Sequence, residues 1–176
     1  MSKQRISTVS MTQLAEQLRQ WGKEKFAQQY PNPFLVLVFE PPEEDDFDEE
    51  STVQTKQTDL SQLSGQVAEP TGKRVIFIAQ GRRPTDGERL VVGRQAGCEI
   101  IIDARKVSRE HAAFIFRNGR WYVEDLGSAN GTRVNGNKLP PSSPHLLKSG
   151  DMLAFWQYLF QFVEPSAFMA LLQSSR

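Results

Sequence analysis

A single cysteine, Cys98, stands in 176 residues. One thiol makes no intrachain disulfide and no zinc site built on a cysteine cluster, and it fits a reducing cytoplasm. Histidine is nearly as scarce, with only His111 and His145. The chain has no Gly-x-Ser-x-Gly elbow, no Gly-x-x-x-x-Gly-Lys loop and no His-Glu-x-x-His pair, so the common nucleophile, phosphate-loop and metalloprotease motifs are absent. Long apolar runs are missing as well. None, Phe34 to Phe39 included, exceeds six residues, far short of the ~20 residues a membrane helix needs. Met1 to Ser10 carries Lys3 and Arg5 with no apolar core behind them, unlike a secretion signal. Net charge is zero, from 21 Lys plus Arg against 21 Asp plus Glu, whereas a dedicated nucleic-acid binder is usually strongly basic. These absences predict a cytoplasmic protein with no cofactor, no metal, no membrane and no nucleic-acid partner.

The zero balance hides a segregation. Residues 1–39 hold 5 basic and 2 acidic side chains, residues 40–70 hold 1 and 10, and residues 71–164 hold 14 and 9, a net of +5. Three differently charged pieces suggest three behaviours. In the first, Leu14, Leu18 and Trp21 recur at helical spacing among polar residues, predicting an amphipathic helix within Val9–Tyr30. Thr12 is its expected N-cap, and Pro31 and Pro33 end it. The run Phe34–Phe39, stopped by Pro41–Pro42, reads as a buried strand or a docking segment. Helix and strand together, 1–39, either pad the main domain or form a separate partner-binding hairpin. The second piece, 40–70, opens with seven carboxylates between Glu43 and Glu50 and has few apolar residues. Such a composition buries too little surface to offset the entropy of ordering, so a disordered acidic linker is expected. At the far end, 165–176, a short helix starting at Pro165 or Ser166 would place Phe168, Leu171 and Leu172 on one face.

Between them the texture changes. From residue 71 to 164, short β-rich runs alternate with Gly- and Asn-containing turns: Arg74–Ala79, Arg89–Val92, Cys98–Ile102, Ala112–Arg117, Arg120–Asp125, Thr132–Val134, His145–Leu147, Asp151–Phe155 and Tyr158–Val163. Strands recurring about every ten residues, with turn signals between them, predict an all-β sandwich. Asn118–Gly119 and Asn135–Gly136 have the residues that two-residue hairpin turns require. No long helix fits inside this stretch, which excludes Rossmann-like and P-loop architectures.

Five short signals carry the chemistry. Gly93–Arg94 ends a strand, and Ser108–Arg109–Glu110–His111 opens another. Ser128–Ala129–Asn130–Gly131–Thr132 forms a loop, and Val134–Asn135–Gly136 and Gly150–Asp151 follow. An arginine at a strand end offers a fork of donors matched to phosphate oxygens. A serine hydroxyl and a second arginine add donors, and an asparagine in a glycine-flanked loop can both donate to and accept from an extended peptide backbone. Loops at one end of a rigid sandwich can bring such groups together. The residues alone point to an anion site beside a peptide-reading amide.

This ordered set resembles the forkhead-associated (FHA) domain family, over about 90 of the 176 residues. The resemblance implies a β-sandwich of about eleven strands that binds phosphothreonine peptides. It implies that Arg94, Ser108 and Arg109 hold the phosphate and that Asn130 holds the peptide backbone. Ser128, Ala129 and Thr132 are candidates for further contacts, Ala129 through its backbone alone. Gly93, His111 and Gly131 are expected to be structural, with His111 ordering its loop by internal hydrogen bonds and Gly93 present for its backbone conformation. Cys98 reads as a small buried hydrophobe. The functional expectation is a phosphothreonine-peptide-binding adaptor, not an enzyme, whose partners are a threonine-phosphorylated protein and an upstream Ser/Thr kinase. The alternative is a scaffold acting mainly through residues 1–39, with the FHA domain structural. Thr52, Thr55 and Thr58, lying among linker carboxylates, are candidate phosphorylation sites; some small bacterial FHA proteins carry a phosphorylatable threonine in a comparable acidic tail.

Overall fold

Two antiparallel-rich sheets, one of seven strands and one of five, face each other across a single apolar layer. They are seen in a computed structural model that describes residues 9–41, 74–79 and 82–174; the acidic stretch from Glu43 to Glu50 and Thr52, Thr55 and Thr58 lie outside the described residues. In chain order the elements are β1 (Val9–Ser10), α1 (Met11–Gln29), β2 (Phe34–Phe39), β3 (Arg74–Phe77), β4 (Arg89–Gly93), β5 (Ile100–Ile101) and β6 (Ala112–Arg117). They continue with β7 (Arg120–Asp125), β8 (Thr132–Val134), β9 (Asn137–Lys138), β10 (His145–Leu146), β11 (Met152–Phe155), β12 (Tyr158–Val163) and α2 (Pro165–Ser174). The larger sheet runs β1-β3-β2-β12-β11-β8-β9 and the smaller β10-β7-β6-β4-β5. The β-sandwich expected from the sequence is present, with twelve strands among the described residues. The two-residue strands β1 and β9 are the ones with no sequence signal.

The strand β2 explains its own composition. It lies inside the larger sheet, paired to β12 on one side and β3 on the other. Alternate residues therefore face opposite ways. Leu35 and Leu37 enter the core between the sheets with Leu90, Val92, Phe114, Val123, Phe155 and Phe160. Phe34 and Val36 enter a second cluster on the outer face, beneath Met11, Leu14, Leu18 and Phe26 of α1 and Phe168 and Leu172 of α2. A strand buried on both faces needs a continuous apolar run, not an alternating one.

Helix α1 starts earlier than its pattern suggests. Its N-cap is Ser10, not Thr12. The Ser10 hydroxyl accepts from the Gln13 N–H at 3.2 Å, and the Gln13 side chain accepts from the Ser10 N–H at 3.3 Å, a reciprocal capping box that Thr12, already inside the first turn, cannot make. Gly22, at φ 76 and ψ 168, breaks the helix just after Trp21. Both predicted hairpin turns form, with Asn118, Gly119, Asn135 and Gly136 all at positive φ, as type I′ turns require.

The strand registers place several loops at one end of the sandwich. In the smaller sheet, Val92 pairs with Ala112 and Ala112 with Asp125. In the larger, Phe155 pairs with both Thr132 and Tyr158, and Leu159 pairs with Phe39. The segments after β4, before β6 and before β8 thus share an end with the β11–β12 turn and the exit of β2.

Candidate functional site

Arg94 and Ser108 are brought together by their backbones. The Arg94 N–H donates to the Ser108 carbonyl at 3.1 Å, and the Gln95 N–H donates to the Arg109 carbonyl at 3.2 Å. These bonds zip the segment leaving β4 to the segment entering β6. Gly93 makes the approach possible through lack of bulk. A Cβ there would stand 2.1 Å from the Arg109 carbonyl oxygen and 3.0 Å from the Cys98 sulfur. The expectation that Gly93 serves a special backbone angle is thus corrected: it is absent from the positive-φ residues, and the requirement is room. Cys98 is buried, as expected, and also donates its S–H to the Arg109 carbonyl at 3.2 Å. Burial, the largest influence, pushes its thiol pKa up, so it stays a protonated donor.

His111 ties two loops into one unit. It is fully buried. The Ser108 N–H donates to its Nδ1 at 3.2 Å, and its Nε2 lies 3.1 Å from the Gly131 carbonyl. An Nδ1 that accepts leaves the proton on Nε2, so the ring is the neutral Nε2–H tautomer and donates to Gly131. Burial lowers its pKa, against smaller opposing effects of the Gly131 carbonyl and the Asp125 charge. The ring edge also meets Phe155, with centroids 5.8 Å apart at 84°.

The loop before β8 is organised by a residue the sequence reading overlooked. Asp125, 2% exposed, accepts from the backbone N–H groups of Gly127 and Ser128 at 3.0 Å each, from the Ser128 hydroxyl at 2.6 Å and from the Thr132 hydroxyl at 2.7 Å. Burial alone would raise its pKa. The four hydrogen bonds outweigh burial and hold the carboxyl below its ordinary range. Ser128 and Thr132 therefore direct their hydroxyl hydrogens to Asp125, which leaves neither hydroxyl hydrogen to donate to a ligand. The Ala129 N–H is also committed, donating to Ser108 Oγ at 3.1 Å. The signal that could have found Asp125 is its own spacing: an Asp two and three residues ahead of Gly and Ser is the pattern of a side chain capping its own loop.

What remains at the surface of these loops is a small set of donors. Arg94 and Arg109 are exposed, and their guanidinium groups have no hydrogen-bond or ion-pair partner among the described residues. Ser108 Oγ, holding the Ala129 N–H as an acceptor, keeps its hydroxyl hydrogen to donate. Asn130 is exposed and donates through its Nδ2 to the Lys106 carbonyl at 2.7 Å, and its side-chain oxygen has no partner among the described residues. Beneath it, at Gly131, the space of the missing Cβ is taken by the Lys138 stem, whose Cε would lie 2.4 Å from it. Two cationic forks, a hydroxyl donor and an amide thus lie on adjoining loops, fixed from below by buried hydrogen bonds. Such a surface suits a charged, multi-oxygen anion carried on a peptide.

The chain is similar to several known proteins. The family model described as the FHA domain matches residues 90–156. The oxoglutarate dehydrogenase inhibitor of Corynebacterium diphtheriae is 32% identical over 105 residues, covering 56% of this chain and 70% of that protein. The glycogen accumulation regulator of Mycolicibacterium smegmatis is 31% identical over 108 residues, covering 57% and 65%. A protein phosphatase 1 regulatory inhibitor subunit homologue of Arabidopsis thaliana is 42% identical over 72 residues, but this chain spans only 20% of its length. Among solved structures, the FHA domain of an Arabidopsis thaliana hypothetical protein matches with a TM-score of 0.49 at 24% identity, covering 76% of this chain and 85% of that one. With the ordered loop signals, the two-sheet sandwich and a relative matched over 70% of its length, this chain belongs to the FHA-domain family.

Proposed function

We propose that this protein is a phosphothreonine-peptide-binding adaptor in serine/threonine kinase signalling. The observation that carries the reading is the junction of Arg94, Ser108 and Arg109. Two guanidinium groups with no partner among the described residues, and a hydroxyl whose hydrogen is free, stand on neighbouring loops held by backbone bonds of 3.1 and 3.2 Å. In this reading Arg94, Ser108 and Arg109 grip the phosphate through charge-assisted hydrogen bonds. Asn130, exposed on the adjoining loop, holds the backbone of the ligand beside its phosphothreonine.

The reading is one of binding, not of catalysis. The histidine closest to these groups, His111, is buried, neutral and bonded through both ring nitrogens, so it is committed to holding the loops and not to moving a proton of a ligand. Among the described residues no helix is long and apolar enough to cross a membrane. A cytoplasmic setting, a threonine-phosphorylated protein as ligand and a Ser/Thr kinase upstream belong to the same proposal. The alternative, a scaffold acting through residues 1–39, draws less support, because α1 and β2 turn Met11, Leu14, Leu18, Phe34 and Leu35 inward.

Titration calorimetry of the full chain against one peptide in three forms tests the proposal. The threonine-phosphorylated form is expected to bind, the unphosphorylated form to give no heat and the serine-phosphorylated form to bind more weakly. Equal affinity for the phosphorylated and unphosphorylated forms would overturn it.

A further inference from the structure

Val38 and Phe39 are the large hydrophobic side chains left exposed among the described residues, at 39% and 46%. They are consecutive, which an ordinary strand would place on opposite faces. They sit where the ladder between β2 and β12 slips: Phe39 faces Leu159 and Leu37 faces Phe160, so Val38 is the extra residue of a bulge. Bulges re-aim side chains and cluster next to ligand sites.

The turn beside them is strained. Trp156, half-buried, holds φ 57 at the start of the β11–β12 turn, a left-handed conformation that is a genuine outlier for a bulky side chain. Its ring lies 6.2 Å from that of Tyr158, the neighbour of Leu159. Strain of this kind collects at ligand clamps.

Both features lie at the end of the sandwich that carries Arg94, Ser108 and Asn130. Thr132, two residues after Asn130, pairs with Phe155; Phe155 pairs with Tyr158; and Leu159 pairs with Phe39. Phe39 is therefore three strands across the sheet from the start of β8, about 14–15 Å at ~4.8 Å per strand. An extended peptide advances ~3.4 Å per residue. A side chain about four residues from a phosphothreonine held at Asn130 would reach Phe39.

We propose that Val38, Phe39 and Trp156 form an apolar lip that receives an apolar side chain of the bound phosphopeptide, about four residues from its phosphothreonine. This deepens the proposed function and rests on it. The occupant is the ligand because the lip is continuous, strand by strand, with the loops that carry the phosphate-binding groups.

Fluorescence anisotropy of the full chain tests it with a phosphothreonine peptide of otherwise alanine and serine residues, carrying one leucine moved through positions 3, 4 and 5 on each side. One of those positions is expected to tighten binding about tenfold over the alanine parent, ~1.4 kcal/mol. In Phe39→Ser and in Trp156→Gly, the latter suited to the left-handed angle, that ratio is expected to fall below about twofold. No leucine effect at any position in the wild type, or an undiminished ratio in Phe39→Ser, overturns the lip. A Phe39→Ser protein that binds every peptide equally better would assign the lip to a segment of this chain. A dimer seen by sedimentation and dissolved by the substitution, with no leucine effect, would assign it to a second copy; either overturns the proposal. Absence of phosphate-dependent binding to any peptide would instead fail the underlying function.

Discussion

The carbonyl oxygen of Arg109 lies 2.1 Å from where a Cβ on Gly93 would stand. Two backbones close enough to forbid a methyl group define the floor of the site. That contact holds the Arg94 and Arg109 side chains on neighbouring segments. The obstructing atoms are main chain, so no rotamer change relieves the clash. Gly93→Ala is expected to separate the two segments, to cost about 1–3 kcal/mol as overpacking does, and to weaken phosphopeptide binding alongside. Chemical denaturation followed by calorimetry checks both effects. A variant with wild-type stability and affinity would show that the loops are not held by this approach.

Arg94 is expected to matter through charge and geometry, not through the fold. Its guanidinium is exposed and has no partner among the described residues, so truncation disturbs nothing packed. A hydrogen bond to a charged group contributes roughly 1.5–3 kcal/mol. Arg94→Ala should therefore weaken phosphopeptide binding about tenfold or more while the melting temperature stays within about a degree or two, as surface substitutions usually leave stability within ±0.5 kcal/mol. Arg94→Lys should recover only part, because a point charge cannot match a planar fork. Equal affinity in wild type and Arg94→Ala would remove Arg94 from the site.

Much of this site is legible in the chain because its residues are local. The Asn-Gly turns, the strands Ala112–Arg117 and Arg120–Asp125 and the short C-terminal helix follow from periods and turn chemistry within a few residues. What escapes is set by distant contacts. The run Phe34–Phe39 is visible as apolar, yet its place between β3 and β12 depends on pairing with residues far along the chain. Gly93 is visible as a glycine, but only the fold shows the Arg109 carbonyl pressed on it. Ser128 and Thr132 carry the right groups for an anion, and only the position of Asp125 shows that their hydrogens are already used. Thr12 is the expected cap and Ser10 the actual one, because the helix begins a residue before Thr12 and the Ser10 and Gln13 side chains bond reciprocally there.

His111 should make stability depend on pH in a definite direction. Burial holds its pKa below the ordinary histidine value of 6.5. A protonated ring could no longer accept the Ser108 N–H at Nδ1. The unfolded chain thus binds a proton, as pH falls through about 6.5, that the folded chain resists. The His111 contribution is full above that value and is lost as pH falls toward the folded-state pKa. Asp125, also lowered, acts with the same sign but only below the ordinary carboxylate range. Urea midpoints should therefore drop between pH 7.5 and 5.5 in the wild type. In His111→Gln, which has no ring to titrate, the midpoint should be lower at pH 7.5 and nearly flat across the window. Parallel pH profiles for the two proteins would rule out His111 as the source.

The last prediction concerns where the folding unit begins. The family model starts at residue 90, and the change of texture along the chain suggests a start near 71, but β2 lies inside the larger sheet. It pairs with β12 from Phe34 to Phe39 and with β3 from Phe34 to Val36. Removing residues 1–41 would leave β12 and β3 with open edges and two unfilled stripes of core. Leu35 and Leu37 would be lost from between the sheets, and Phe34 and Val36 from beneath the helices. Truncating a single buried leucine or phenylalanine costs roughly 2–5 kcal/mol, and whole domains are stable by only about 5–15 kcal/mol. Losing three such side chains and Val36, together with their strand, exceeds that margin. A fragment of residues 71–176 is expected to be unfolded or aggregated and not to bind phosphopeptide, whereas residues 9–174 should melt cooperatively. Circular dichroism and one-dimensional proton spectra of the two fragments decide it. If 71–176 folds alone and binds as tightly as the full chain, β2 is an accessory to the sandwich and not one of its strands.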